Sequence, residues 1–343
     1  MKILVTGNLG YIGSVLVKRL IDLNYEVVGF DCGFFEDCSL INLENNFIQI
    51  KKDIRKIEEK DMEGIDCVIH LAGLSNDPLG ELRPDLTENI NLIGTVRCAE
   101  IAKKMGVSRF IYSSSQSMYG VSDIDNELDE DLSEKNPVTS YARTKWEAEL
   151  AIKKLQSDSF LVCAFRPSTV FGASPRLRCD IVFNNFVACA YTTKKIEIKS
   201  NGMPWRPIVH VEDVCSAFIS GVEAPKSIVA GRSFNVGVNN GNYRVKEIAK
   251  AAQSSIKDSL LLFTSEDTQD QRTYRVSFNR ILDELKNYYR PSWNLQSGAN
   301  QLVNFFDQIN FSESDFRGPK TNRLKKIILL QENQIINDDL FFI

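Results

Sequence analysis

The chain has 343 residues, 43% of them hydrophobic and 25% charged, the proportions of an ordinary globular protein rather than a disordered or fibrous one. Its 41 basic side chains are set against 45 acidic ones, a net charge of −4. That balance excludes a general polyanion binder, so nucleic acid is not an expected partner, and any phosphate must be held by a few local groups.

Strand-like runs fall at Lys2–Thr6, Glu26–Phe30, Phe47–Ile50, Cys67–Leu71, Arg109–Tyr112 and Phe160–Phe165, with helical periodicity near 11–23, 81–105 and 141–156. The strands are apolar on both faces, as in a parallel sheet covered by helices on each side. Such alternation predicts an α/β fold with a doubly wound parallel sheet over residues 1–171. Beyond residue 167 the rhythm loosens, and prolines such as Pro175, Pro204 and Pro225 separate shorter elements. We expect a return to the sheet near 207–236, at Ile208–Val211 and Phe234–Val236, and a smaller substrate-binding lobe mainly over 172–310. A single core is near its size limit at this length, which favours such a division. Residues 311–343 form a tail containing LKKIILL, expected to pack as a helix on the body or on another subunit.

Apolar runs such as LLLF (260–263) and IILL (327–330) are too short to span a bilayer, so no membrane association is expected. The eight cysteines form no C-x-x-C pair, the only histidines are His70 and His210, and zinc-ligand spacing is absent; no metal is expected. Scattered core cysteines suit a cytoplasmic protein. MKILVTG enters a strand at once, so no signal peptide is expected.

The first strand runs into Gly7-Asn8-Leu9-Gly10-Tyr11-Ile12-Gly13 and then a helix. Gly7 can adopt backbone angles closed to other residues, Gly10 admits a pyrophosphate close to the main chain, and Gly13 lets helix and strand pack. The helix N-terminus offers free N–H groups to the anion. Asp31 ends the second strand, where a carboxylate can accept from adenosine ribose hydroxyls and would repel a 2′-phosphate. The expected cofactor is therefore NAD rather than NADP. Asp53 and Ile54, after the third strand, would suit the adenine edge.

The fifth strand leads into Ser113-Ser114-Ser115-Gln116-Ser117-Met118-Tyr119-Gly120, and Ser140-Tyr141-Ala142-Arg143-Thr144-Lys145 opens a helix further on. Tyr141 and Lys145 share a helix face. An ammonium beside a tyrosine, together with an oxidised nicotinamide ring, favours the phenolate and makes it a usable base. Tyr191 and Lys195 repeat the Y-x-x-x-K spacing, but no serine-rich strand end precedes them, and we assign them no catalytic part.

Taken together, GNLGYIG, Asp31, HLAG at 70–73, the serine-rich strand end and YARTK resemble the extended short-chain dehydrogenase/reductase family, and within it the nucleotide-sugar epimerases and dehydratases. RPSTVFG at 166–172 and WRPIVHVED at 205–213 extend the likeness, which covers roughly residues 1–310. The resemblance implies a Rossmann-type fold, bound NAD, a nucleotide-diphosphate sugar as substrate and a homodimer paired through two long helices. It implies Tyr141 as general base, Lys145 as its partner on the nicotinamide ribose, and Ser115 as the holder of the substrate hydroxyl. Leu71, Ala72 and Gly73 would join Leu9, Tyr11 and Ile12 along the cofactor. Asn185, Arg206 and Arg272 match positions that grip the substrate diphosphate, and Asn76 and Gln116 are counted with the substrate contacts; His210 is expected to be structural.

The 4,6-dehydratases of this family carry Asp-Glu directly after the active Thr, whereas this chain has Gln116-Ser117. Neither titrates near neutral pH. A C4 epimerase needs no further acid or base: a transient 4-keto sugar turns over and is reduced on its other face. The expectation is an NAD-dependent epimerase of a nucleotide sugar; the alternative is a net dehydrogenase or reductase, with a dehydratase less favoured. A non-catalytic dinucleotide sensor is more remote, because Ser115, Tyr141 and Lys145 are all present.

Overall fold

A computed structural model describes residues 1–42, 46–122, 125–264 and 273–343. Its strands are β1 (Lys2–Thr6), β2 (Glu26–Asp31), β3 (Ile48–Lys51), β4 (Cys67–His70), β5 (Arg109–Ser113), β6 (Leu161–Pro167), β7 (Thr169–Phe171), β8 (Lys195–Ile198), β9 (Trp205–His210), β10 (Ser233–Val236), β11 (Asn242–Arg244) and β12 (Leu260–Phe263). Seven of them form one sheet in the order β10-β6-β5-β4-β1-β2-β3, every neighbour parallel. This is the doubly wound α/β sheet expected from the sequence.

Alternate residues of a strand face opposite sides. Ile3 and Val5 accordingly join one core with Leu16, Phe165 and Phe218, while Leu4 joins another with Val28, Phe110 and Ile152. Helices Tyr11–Asp22 and Val211–Glu223 cover the first face; Gly94–Lys104 and Ser140–Lys153 cover the second. Strand order reverses between β1 and β4, so a crevice opens beyond their carboxyl ends, where ligands of such sheets bind.

Two expectations meet a different local structure. The helix expected at 81–105 is broken into short turns at Asp77–Gly80 and Pro84–Thr87, a π-helical stretch Glu88–Ile93 and a regular helix Gly94–Lys104. Pro84 starts a new turn because its ring cannot continue the preceding one. Ser233–Val236 does pair with β6, but Trp205–His210 lies in a separate sheet, β11-β9-β7. There β7 and β11 satisfy its backbone. The tail packs on the body: Ile327, Leu330, Ile336 and Leu340 are buried with the β2–β4 side of the core.

Candidate active site

A cavity of about 520 Å³ opens at the carboxyl ends of β1, β2, β4 and β5. The turn after β1 shapes its floor. Gly7 has φ +72°, and a Cβ there would meet the Ala72 nitrogen at 2.7 Å; at Gly13 it would meet the Gly7 carbonyl oxygen at 2.3 Å. Both glycines are thus required by close backbone approach. Asp31 faces the cavity at the end of β2, where its carboxylate accepts from Leu9 N–H (3.2 Å) and Gly33 N–H (2.8 Å). Burial raises its pKa, against those two N–H donors and Arg176.

Asp53, Ile54, Leu71, Ala72 and Gly73 line the same cavity, with Gly10, Tyr11 and Ile12. Asp53 is held by a bidentate bond from Arg55, Nε at 2.9 Å and Nη2 at 2.7 Å. Thr6 Oγ1 accepts from Leu71 and Ala72 N–H, and bonds His70 at 2.8 Å. His70 also meets Thr95 at 2.9 Å; burial lowers its pKa to about 3, so it is a neutral positioning group.

Ser115, Tyr141 and Lys145 come together at the other end of the cavity. Thr139 caps the helix that carries Tyr141 and Lys145 by accepting from Ala142 N–H. Glu149, two turns on, is fixed to β6 by the fully buried Arg166 through bonds of 3.0 and 2.6 Å, which clamps this helix against the sheet. Gly80 lets the β4 loop approach: a Cβ there would lie 3.0 Å from that of Tyr141. Lys145 Nζ donates to the Ser113 carbonyl at 2.6 Å, and burial lowers its pKa to about 7 despite Glu149. Burial raises the Tyr141 phenol to about 12, with Ser115 opposing. Ser115 Oγ accepts from Ser117 N–H (3.1 Å) and Ser117 Oγ (2.8 Å), so its own proton is left to donate elsewhere.

Among the expected substrate contacts, Asn76 and Arg206 line the cavity. Asn76 donates to Asp180 at 3.0 Å and Arg206 to the Trp205 carbonyl at 2.9 Å. Gln116 and Asn185 do not line it. Gln116 is turned into the protein, where it donates to the Arg166 carbonyl and accepts from Ser168, tying β6 to the serine turn. Asn185 lies one turn into its helix and donates to the Cys179 carbonyl. The Leu9 side chain is buried, and its contribution is the N–H on Asp31. Arg272 lies outside the described residues.

Sequence reasoning did not single out Lys52, Asp180, Tyr274 or Arg323, which also line the cavity. Arg178, in the stretch Pro175-Arg176-Leu177-Arg178, pairs with Asp180 (2.8 Å) and bonds Ser75 (3.2 Å). His210 accepts from Glu212 N–H, meets Gln301 and stacks on Trp293 at 4.0 Å, away from the cavity. Tyr191 donates to Asp307 at 2.6 Å on a different helix face, equally remote.

The sequence profile of the NAD dependent epimerase/dehydratase family matches residues 3–237. The chain belongs to the NAD-dependent epimerase/dehydratase family. It is 31% identical over 252 residues to a UDP-glucose 4-epimerase of Mycolicibacterium smegmatis, covering 69% of this chain and 77% of that protein. It is 28% identical over 269 residues to the dTDP-D-glucose 4,6-dehydratase of Homo sapiens, covering 75% of each. The solved UDP-glucose 4-epimerase of Thermotoga maritima superposes with a TM-score of 0.79 at 23% identity, over 90% of this chain and 99% of that one. The family assignment bears out the extended short-chain dehydrogenase/reductase kinship expected from the motifs. Its cofactor suits the cavity, which is lined by the glycine turn at the N-terminus of the helix Tyr11–Asp22 and by the part-buried Asp31 carboxylate at the end of β2. Gly7, Gly10 and Gly13 would hold the diphosphate of NAD and Asp31 the adenosine ribose.

Proposed function

We propose that the protein interconverts nucleotide-diphosphate sugars epimeric at C4, through a transient 4-keto sugar, with NAD retained between turnovers. The observation that carries this reading is the serine turn itself. Ser115 faces Tyr141 and Lys145, yet the next residue, where the dehydratases place an acid, is a glutamine bonded into the protein. Ser117 after it is a hydroxyl bonded to Ser115. No proton donor or acceptor titrating near neutral pH stands at either position. Similarity to both 4-epimerases and 4,6-dehydratases supports the shared first step.

Tyr141 takes the proton of the C4 hydroxyl, its phenolate favoured by the ammonium of Lys145 one helical turn away. Ser115 donates to the same oxygen and holds it as it becomes a carbonyl. NAD, when bound, supplies a hydride acceptor and donor for C4. The keto sugar then exposes its other face, and Tyr141 returns the proton. Arg206 and Asn76 are proposed to steady the substrate diphosphate and sugar, and residues 1–171 and 172–310 to divide cofactor and substrate binding.

We further propose a homodimer, for which Ile93 and Leu150, 53% and 43% exposed beside the helices at 94–104 and 140–153, provide an apolar face. Eight free thiols suit the cytoplasm. Among the described residues no helix is long and apolar enough to cross a membrane.

The test is a panel of UDP-, GDP- and dTDP-sugars incubated with the purified protein. The expected outcome is mutual conversion of a C4 pair without steady formation of NADH. Stoichiometric NADH would replace the epimerase by a net dehydrogenase, and a 4-keto-6-deoxy product by a dehydratase.

A further inference from the structure

The C-terminal segment lies beyond the family match at 3–237, yet its helix Arg323–Glu332 delivers a side chain to the cofactor cavity. Arg323 is 1% exposed. Its guanidinium lies 4.6 Å from the centre of the Phe35 ring and donates to the carbonyls of Arg176 (2.8 Å) and Lys320 (3.2 Å). Among the described residues the Arg176 guanidinium likewise donates to carbonyls, those of Phe35 and Glu36. Of Arg176, Arg178 and Arg323, all buried, only Arg178 has a carboxylate ion pair among the described residues, with Asp180.

Asp31 acts on Arg176 only at a distance, and Asp180 meets Arg323 through the backbone N–H at 3.3 Å, so among the described residues neither guanidinium has a direct carboxylate bond. Buried cations compensated so incompletely are costly, and an arriving anion relieves that cost. The place is also right for one. Ser174, two residues before Arg176, donates to the Tyr11 carbonyl, so this chain segment flanks the glycine turn and the N-terminus of the first helix. Burial accordingly lowers the Arg323 pKa to about 10.

We propose that Arg323 is a dinucleotide-binding residue, which the C-terminal segment supplies to the diphosphate of the cofactor. The segment is anchored for this task. Arg55, which holds Asp53, also donates to the Asp339 carbonyl at 2.8 Å, and Phe342 stacks on Phe34 at 5.5 Å. The adenosine end of the cavity and the tail therefore share their supports.

The role rests on NAD being the cofactor, and the test separates the two. Binding of NADH, ADP, adenosine and UDP is measured by fluorescence and calorimetry on the full chain and on Arg323→Met, with the unliganded melting temperature as a check on folding. The expected result is a loss of about tenfold or more for NADH and ADP, with adenosine and UDP unchanged. Unchanged NADH affinity, equal loss for adenosine, or a loss confined to UDP overturns the proposal. Should Arg323→Met not fold, Arg323→Lys carries the test, with a smaller loss of the same pattern expected and wild-type NADH affinity overturning it. A wild-type chain that binds no NADH overturns the cofactor reading instead.

Discussion

Two tyrosines stand four residues before a lysine, and their surroundings separate them. Tyr141 lines the cavity beside Ser115 and one turn from Lys145, whereas Tyr191 bonds Asp307 at 2.6 Å on another helix. In the unliganded protein burial raises the Tyr141 phenol to about 12. A phenolate at neutral pH therefore needs added positive charge, which Lys145 and an oxidised nicotinamide would supply. Tyr141→Phe should lower turnover by about a hundredfold to ten-thousandfold, the usual worth of a positioned general base. NADH affinity, read by fluorescence titration, should stay close to wild type. Tyr191→Phe should leave both unchanged. The spacing alone could not distinguish the two tyrosines, because the distinction lies in what faces each of them across the fold.

At the scale of elements, the turn between β1 and the first helix is the most tightly determined. The Cβ of alanine at position 13 would lie 2.3 Å from the Gly7 carbonyl oxygen and 2.6 Å from the Asn8 Cα, both backbone atoms that cannot swing aside. Gly13→Ala should destabilise the protein by about 1–3 kcal/mol, as overpacking does, seen in urea unfolding. It should also weaken NADH binding, because the displaced turn carries the Leu9 N–H that holds Asp31. Strand and glycine spacing made this element legible in the sequence. The helix expected at 81–105 was less so: apolar periodicity continues through Pro84 and the π-helical stretch, although Pro84 starts a new turn and the stretch Glu88–Ile93 packs against the helix Ser140–Lys153.

For the whole molecule, both of its histidines are buried and neutral. Burial lowers His70 to about 3 and His210 to about 4, below their ordinary value near 6.5. The unfolded chain thus binds more protons than the folded one between those values, and stability falls as pH drops through 6.5 towards 4. Each histidine contributes a slope of about 1.4 kcal/mol per pH unit within its window. Asp213, raised to about 6 by burial, opposes them, since its folded form holds the extra proton. Chemical denaturation from pH 7 to 4 should show this decline, and His70→Asn should make it shallower. A decline equally steep in the variant would assign the acid sensitivity to carboxylates alone.

What the sequence by itself determined is whatever depends on neighbours along the chain. Short, continuously apolar runs, the glycine turn and a tyrosine one turn before a lysine are local patterns, and each was readable as sheet, phosphate cradle or base. What only the tertiary structure decided depends on residues far apart in sequence. Gln116 has a polar side chain that reads as a substrate contact, yet the Arg166 carbonyl, 50 residues on, claims it in the fold. Arg323 carries no motif, and it reaches the cavity because Ile327, Leu330 and Leu340 bury the tail against the sheet. Hydrophobic burial is non-directional, so a short apolar run such as IILL states that it will be covered but not by what. That partner was set by the packed core, and with it the extra arginine at the cofactor cavity.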